Sequence, residues 1–297
     1  MRKIIISILV IALLLQGCSK NDSSKESLKD VEPTEALAEP TATPEPTATP
    51  EPTTTPEPTS TPEPELTIPQ ATNDSGKVRI QTASLDAAHP YTSYIISSVN
   101  GENVVVDPTQ MPAIDVVDFN PVAILSTHSH PDHTDSVFSR SYDCQKLNYK
   151  KGEIQTNDFY IYTILSSHSN DIIKESNQNV IIVFEVDGLR IAHMGDIGQT
   201  VLTEEQLTEL GDIDIAFMQF ENSYSSMTLQ NEKGFNLIEQ LDPTVVIPTH
   251  YSSNSLPVLE EKYGAITEVK NILDITKEEL PEGSMNVYII SNEYKYF

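Results

Sequence analysis

The hydrophobic pattern changes character twice along the chain. Behind Arg2 and Lys3, the stretch Ile4 to Leu15 is apolar apart from Ser7. Residues 19–40 are polar and charged, and no large apolar residue occurs from 41 to 64. After Gly76 come short runs rich in β-branched and aromatic residues: Val78–Ala83, Tyr94–Val99, Val104–Asp107, Val122–Thr127, Phe159–Leu165, Val180–Val186 and Arg190–Met194. Their length, with turn residues between them, predicts strands. The pattern then alternates. Helical spacing over Thr203–Leu210 precedes a strand at Ile213–Met218, a helix at Glu232–Leu241, a strand at Val245–Pro248 and a helix at Leu256–Tyr263. Strands at Glu268–Leu273 and Asn286–Ser291 follow. Many strands first and helix–strand alternation later predict two packed sheets with helices outside, one α/β unit over 76–297.

The twelve-residue apolar run suits a signal-peptide core and falls short of the ~20 residues a membrane-spanning helix needs. It ends in Leu15-Gln16-Gly17-Cys18, which resembles the bacterial lipobox. The resemblance implies cleavage after Gly17, lipidation of Cys18 and an extracytoplasmic protein anchored to the cell membrane. The second of the two cysteines, Cys144, then has no intramolecular partner. Four hexads of the form Thr-x-Thr-Pro-Glu-Pro fill residues 41–64. Two prolines per hexad exclude helix and sheet and favour extended polyproline II. At ~3.1 Å per residue the repeats can reach roughly 75 Å. The expected organisation is therefore a signal peptide over 1–17, a disordered Thr/Pro/Glu-rich tether over 18–75 and one globular domain over 76–297.

Charge removes one class of partner. Acidic residues outnumber basic ones 44 to 18, a formal net charge of -26, with no run of Lys or Arg. Such a field repels phosphate backbones, so a nucleic-acid partner is not expected.

The chemistry concentrates in histidine. Of seven histidines, three fall in His128-Ser129-His130-Pro131-Asp132-His133, directly after the strand-like run Val122–Thr127. In extended or turning backbone His128 and His130 lean the same way, and Asp132 and His133 continue round the turn towards a second point. Imidazoles with a carboxylate form the borderline donor set preferred by zinc and its neighbours. His168, Asp196 and His250 each follow a further strand-like run, and Gly195 and Gly198 flank Asp196. Seven candidate ligands thus come from four strand ends, enough for two sites of about three protein ligands with a shared bridge. His89 reads as a bystander or cleft wall, and His193 as a supporting or structural residue.

With these residues assembled, the chain resembles the metallo-β-lactamase superfamily from about residue 78 to the end. His128-x-His130-x-Asp132-His133 is similar to its signature loop, Asp107 to its early supporting aspartate, Asp196 to its bridging aspartate, and Pro248-Thr249-His250-Tyr251 to its terminal metal histidine. The resemblance implies a four-layer αββα sandwich. It also implies one metal held by His128, His130 and His168, a second by Asp132, His133 and His250, and Asp196 between them. Asp132-His133-Thr134-Asp135, Ala192–Gly198 and Met227–Tyr251 are most similar to the ascorbate-6-phosphate lactonase-like branch. Asp196 argues against a true β-lactamase, Thr134-Asp135-Ser136 against glyoxalase II, and histidine at 130 against the di-iron redox relatives.

The implied function is a dinuclear hydrolase with two divalent cations, zinc or alternatively manganese. A metal-bridging hydroxide, oriented by Asp132 and Asp196, would attack an ester or lactone, a phosphodiester or an amide of a small-molecule substrate. The competing expectation is a surface lipoprotein that binds metal without catalysis.

Overall fold

Several strands of this chain read as largely apolar runs because they are buried on both faces. In the computed structural model, which describes residues 70–85, 92–174 and 179–291, the strands build two sheets within the unit Glu63–Phe297. The apolar segment Ile4 to Leu15 expected to direct export, Cys18, the hexad repeats and His89 lie outside the described residues.

The first sheet contains β1 (Val78–Thr82), β2 (Tyr94–Ser97), β3 (Asn103–Val106), β4 (Pro121–Ser126), β5 (Gln145–Asn148) and β13 (Ile272–Ile275), in the order β13-β1-β2-β3-β4-β5. The second contains β6 (Glu153–Gln155), β7 (Phe159–Leu165), β8 (Val180–Val186), β9 (Leu189–His193), β10 (Ile215–Gln219), β11 (Val245–Thr249), β12 (Thr267–Val269) and β14 (Asn286–Ile290). Its order is β12-β14-β11-β10-β9-β8-β7-β6. β3, β4 and β5 are mutually parallel, as are β9, β10, β11, β14 and β12.

Side chains alternate between two environments with the period of two that a pleated strand imposes. Ile80, Ile96, Val104, Val106 and Leu125 of the first sheet meet Ile161, Ile182, Phe184, Phe217 and Ile247 of the second in the central core. The intervening residues face outward. Ile181, Val183, Ala216, Met218 and Val246 pack against the outer helices α2 (Glu204–Leu210), α3 (Lys233–Leu241) and α4 (Ser255–Tyr263). Ile95, Val105 and Ile124 pack against Phe138 and Tyr142, at and just beyond the short helix α1 (Ser136–Ser141). The result is a four-layer αββα sandwich whose first helical layer is thin.

Short elements absent from the sequence expectation are present among the described residues: α1, β5, β6 and the 3-10 turns Ser223–Ser225 and Lys277–Glu279. The expected strand Glu268–Leu273 is a correction: it is two strands, with β12 in the second sheet and β13 in the first. The chain changes sheet at Lys270-Asn271, between β12, where Val269 alone is half-buried, and β13, where Leu273 and Ile275 are buried. Cys144 is half-buried against the α1 cluster and is not disulfide-bonded.

Candidate metal centre

The topology brings the predicted donors to one edge of the sandwich. β7 and β9 run the same way because β8 is antiparallel to both, and β11 is parallel to β9 through β10. The carboxyl ends of β7, β9 and β11 therefore deliver His168, Asp196 and His250 to the same side. β4 of the other sheet delivers the loop His128–His133 to meet them. The carboxyl edge of parallel strands is the usual place for a site in such sheets.

All seven candidates converge, in two groups. Donor atoms of His128, His130, His168 and Asp196 lie within 4.8 Å of one another, and so do those of Asp132, His133 and His250. The Asp196 carboxylate divides between them. Its Oδ2 is 3.5 Å from His128 Nε2 and 3.6 Å from His168 Nε2. Its Oδ1 is 3.4 Å from His133 Nε2 and 3.2 Å from His250 Nε2. Asp132 Oδ2 stands 3.7 Å from His133 Nε2 and 3.9 Å from His250 Nε2. His250 occupies its corner with φ of 42°, in the left-handed region, and its carbonyl accepts from the backbone N–H groups of Phe220 and Glu221.

Asp107, at the end of β3, sets which nitrogen each ring offers. It is fully buried and accepts the Thr127 backbone N–H at 2.6 Å and the Thr127 hydroxyl at 2.7 Å. His133 Nδ1 lies 2.8 Å from Asp107 Oδ2. An ionised carboxylate only accepts, so His133 Nδ1 carries hydrogen and Nε2 faces the cluster. The Thr127 hydroxyl has given its hydrogen to Asp107 and can only accept from His128 Nδ1, 3.1 Å away. His128, kept neutral by burial, therefore presents a bare Nε2, while His133 offers its Nε2 once the second proton of its ring is displaced. One carboxylate orients two rings, a relay familiar from metal-ligating histidines.

The electrostatics ask for a cation. Burial opposes ionisation of Asp107 and Asp196, yet both stay below the usual carboxylate range because histidines, His133 foremost, surround them. Burial likewise opposes charge on His133, but Asp196 and Asp107 outweigh it and push its pKa up to about 9. Burial, reinforced by charged His133, drives His128 down to about 2. The protein thus places two buried carboxylates among rings that cannot all be charged. His128 Nε2 and His168 Nε2 are buried without a hydrogen-bond partner. Orphaned imidazole nitrogens aimed at a shared carboxylate are what a bound divalent ion would satisfy, and the residues present fit one in each group.

Several contributors were not legible as single residues. Asn222 Nδ2 donates to Asp196 Oδ2 at 2.6 Å, while its Oδ1 accepts the Tyr224 backbone N–H at 3.0 Å. Asn179 Oδ1 accepts the Asp196 backbone N–H at 2.9 Å, and its Nδ2 donates to Met194 O and Ser166 Oγ. Asparagine at a turn is common enough to carry no signal in sequence. His193 is buried, stacked on Phe217 with centroids 5.1 Å apart, and its Nδ1 accepts the Gly195 N–H. It belongs to the core beneath the site and to neither donor group, and burial brings its pKa to about 4. His130, Pro131, Asp132, Asp196 and Tyr224 line a cavity of about 350 Å³ at the mouth.

Residues 89–250, more than half of the chain, match the family model of the beta-lactamase superfamily domain. A UPF0173 metal-dependent hydrolase from Methanobrevibacter smithii is 27% identical over 205 residues, covering 58% of this chain and 82% of its own. A solved structure from Thermotoga maritima, assigned to the Zn-dependent hydrolases of the metallo-beta-lactamase superfamily, is 18% identical with a TM-score of 0.52. That likeness covers 72% of this chain and all of the other, and it concerns the fold.

Proposed function

The chain belongs to the metallo-β-lactamase superfamily, and on that premise we propose that it is a metal-dependent hydrolase with a two-metal centre. The observation that carries the proposal is the Asp196 carboxylate, with one oxygen turned to His128 and His168 and the other to His133 and His250. His128, His130 and His168 would hold one divalent ion, Asp132, His133 and His250 the other, with Asp196 between them. Zinc suits this nitrogen-and-carboxylate set, and manganese is the alternative. When bound, such a pair supplies Lewis acidity and lowers the pKa of water towards ~7.

The rest is done by the chain. Asp107 and Thr127 engage Nδ1 of His133 and His128, so that Nε2 is the nitrogen each ring turns inward to a metal. Asn222 and Asn179 hold Asp196 by its carboxylate and its backbone. Asp132, half-buried on the cavity wall, orients the attacking water with Asp196 and is placed to take its proton. No serine or cysteine nucleophile is needed, and burial pushes the Cys144 thiol up, away from the reactive thiolate.

The scissile bond is an ester or lactone, a phosphodiester or an amide. Kinship with the ascorbate-6-phosphate lactonase-like branch is proposed on the sequence stretches quoted above, and Asp196 argues against a true β-lactamase. We also propose export and anchoring through lipidated Cys18, with residues 18–75 as the tether; palmitate labelling lost in Cys18→Ala is the corresponding check. For the centre itself, metal content measured by plasma mass spectrometry should be about two ions per chain. Asp196→Ala should hold one or none and lose hydrolysis across a panel of lactone, phosphodiester, β-lactam and amide substrates. Unchanged stoichiometry in Asp132→Ala and His130→Ala would sink the dinuclear assignment. Metal retained with no turnover of any class would favour a metal-binding surface protein without catalysis.

A further inference from the structure

Tyr224 is 82% exposed, the most exposed of the large hydrophobic side chains among the described residues. Isolated surface aromatics are ordinary, but this one is held in place beside the donors. It sits in a single 3-10 turn, Ser223–Ser225, whose cap is Asn222, the residue that also holds Asp196. Asn222 and Met227 exchange both backbone hydrogen bonds at 2.9 Å, which closes the turn. Ser226 completes it in the left-handed region with φ of 54°. The Tyr224 ring meets His130 edge-on at 6.4 Å and borders the 350 Å³ cavity with Pro131.

The cavity wall is chemically divided. His130, Asp132 and Asp196 form its polar part, while Tyr224 and Pro131 offer two ring faces. Among the described residues no Lys or Arg lines it. A volume of 350 Å³ is at the low end for small-ligand sites and accommodates one or two rings; an apolar cavity of ~150 Å³ holds benzene. A phosphate or carboxylate remote from the reacting bond would find no cation on this wall, whereas a flat uncharged group would find an aromatic face beside the donors.

We propose that Tyr224 determines specificity, packing against an uncharged aromatic or flat apolar group carried next to the bond that is cleaved. The inference rests on the two-metal reading above. It assigns Tyr224 to binding and gives it no part in activating water.

Two carboxylates that mimic hydrolysis products separate the possibilities. Acetate and phenylacetate offer the same carboxylate and differ by the ring. Titrated calorimetrically into the zinc-loaded full chain, phenylacetate should bind roughly tenfold tighter than acetate, the scale of one good aromatic contact. In Tyr224→Ala the two should become equal within about twofold, and Tyr224→Phe should keep the preference, because ring packing does not need the hydroxyl. Zinc content should be the same in all three proteins. Equal or undetectable affinities in the wild type, or a preference that survives Tyr224→Ala, would overturn the proposal while leaving the metal centre standing. A wild-type chain that takes up no zinc would overturn the metal centre, and this inference with it.

Discussion

Asn222 commits both ends of its amide. Its Nδ2 holds the shared carboxylate of Asp196 and its Oδ1 holds the backbone of the turn that carries Tyr224. A hydrogen bond to a charged group contributes about 1.5–3 kcal/mol, and loss of a group that orients a metal ligand costs 10- to 100-fold in affinity as a rough scale. Asn222→Ala should therefore weaken zinc binding within about that range, read by competition with a fluorescent chelator. Asn222→Asp separates the two ends. Its carboxylate can still cap Tyr224, so the turn survives, but it faces Asp196 with a like charge and no hydrogen. Zinc affinity should fall in both variants, and unchanged affinity in both would show that Asp196 needs no such support. The contrast with the seven donors is instructive. Three histidines packed into His128–His133 and an aspartate between glycines leave a mark in sequence because those residue types are scarce and clustered. Asn222 and Asn179 leave none, since their importance lies in partners 26 and 17 residues away.

At the scale of elements, the turn after β9 is tightly enclosed by its neighbours. A Cβ on Gly198 would lie 2.2 Å from the His168 carbonyl oxygen and 2.6 Å from that of Ser225. The turn after β9 is thus pressed between the His168 loop and the Tyr224 turn, and Gly198 N–H donates to Ser167 O at 2.8 Å. Backbone carbonyls cannot swing aside as side chains do. Gly198→Ala should destabilise the metal-free fold by about 1–3 kcal/mol, the usual cost of overpacking, in a denaturant melt. It should also reduce zinc stoichiometry, because His168 must move. A melt within about 0.5 kcal/mol of wild type, the scale of neutral substitutions, would mean the turn is looser than these distances state. Sequence gave advance notice of this crowding through the two glycines around Asp196. It located the long strands well, because runs such as Val180–Val186 are buried on both faces and are apolar but for the half-buried Glu185. β5 and β6 escaped notice because exposed polar residues occupy them, Gln145 and Lys146 in one and Glu153 and Gln155 in the other. α1 is six residues long and shows one turn of pattern, too little for a period of 3.6 to register.

At the scale of the whole molecule, buried charge makes the metal-free protein sensitive to pH in two directions. His193 and His128 have folded pKa values of about 4 and about 2, both below the ordinary 6.5, with burial the main cause. Between 6.5 and those values the unfolded chain binds protons that the folded chain refuses. Their contribution to stability is whole above pH 6.5 and is lost as the pH falls. His133 behaves oppositely. Its folded pKa of about 9 exceeds 6.5 because Asp196 and Asp107 prevail over burial. Its contribution is whole below pH 6.5 and is lost as the pH rises to 9. Each proton changes stability by at most ~1.4 kcal/mol per pH unit. The Tm of protein stripped with chelator should therefore peak near pH 6.5 and fall on both sides. His193→Asn should flatten the acidic limb through removal of one titrating ring, with the alkaline limb unchanged. Zinc should raise Tm most on the alkaline side, where His133 loses its proton without competition and the two buried carboxylates are left without a positive partner. An acidic molecule of net charge -26 already repels itself, so this local deficit of cations matters more to it than to a neutral protein. A Tm that is flat from pH 5 to 9 in the stripped protein, and equally raised by zinc throughout, would show that the buried histidines do not titrate as their surroundings require.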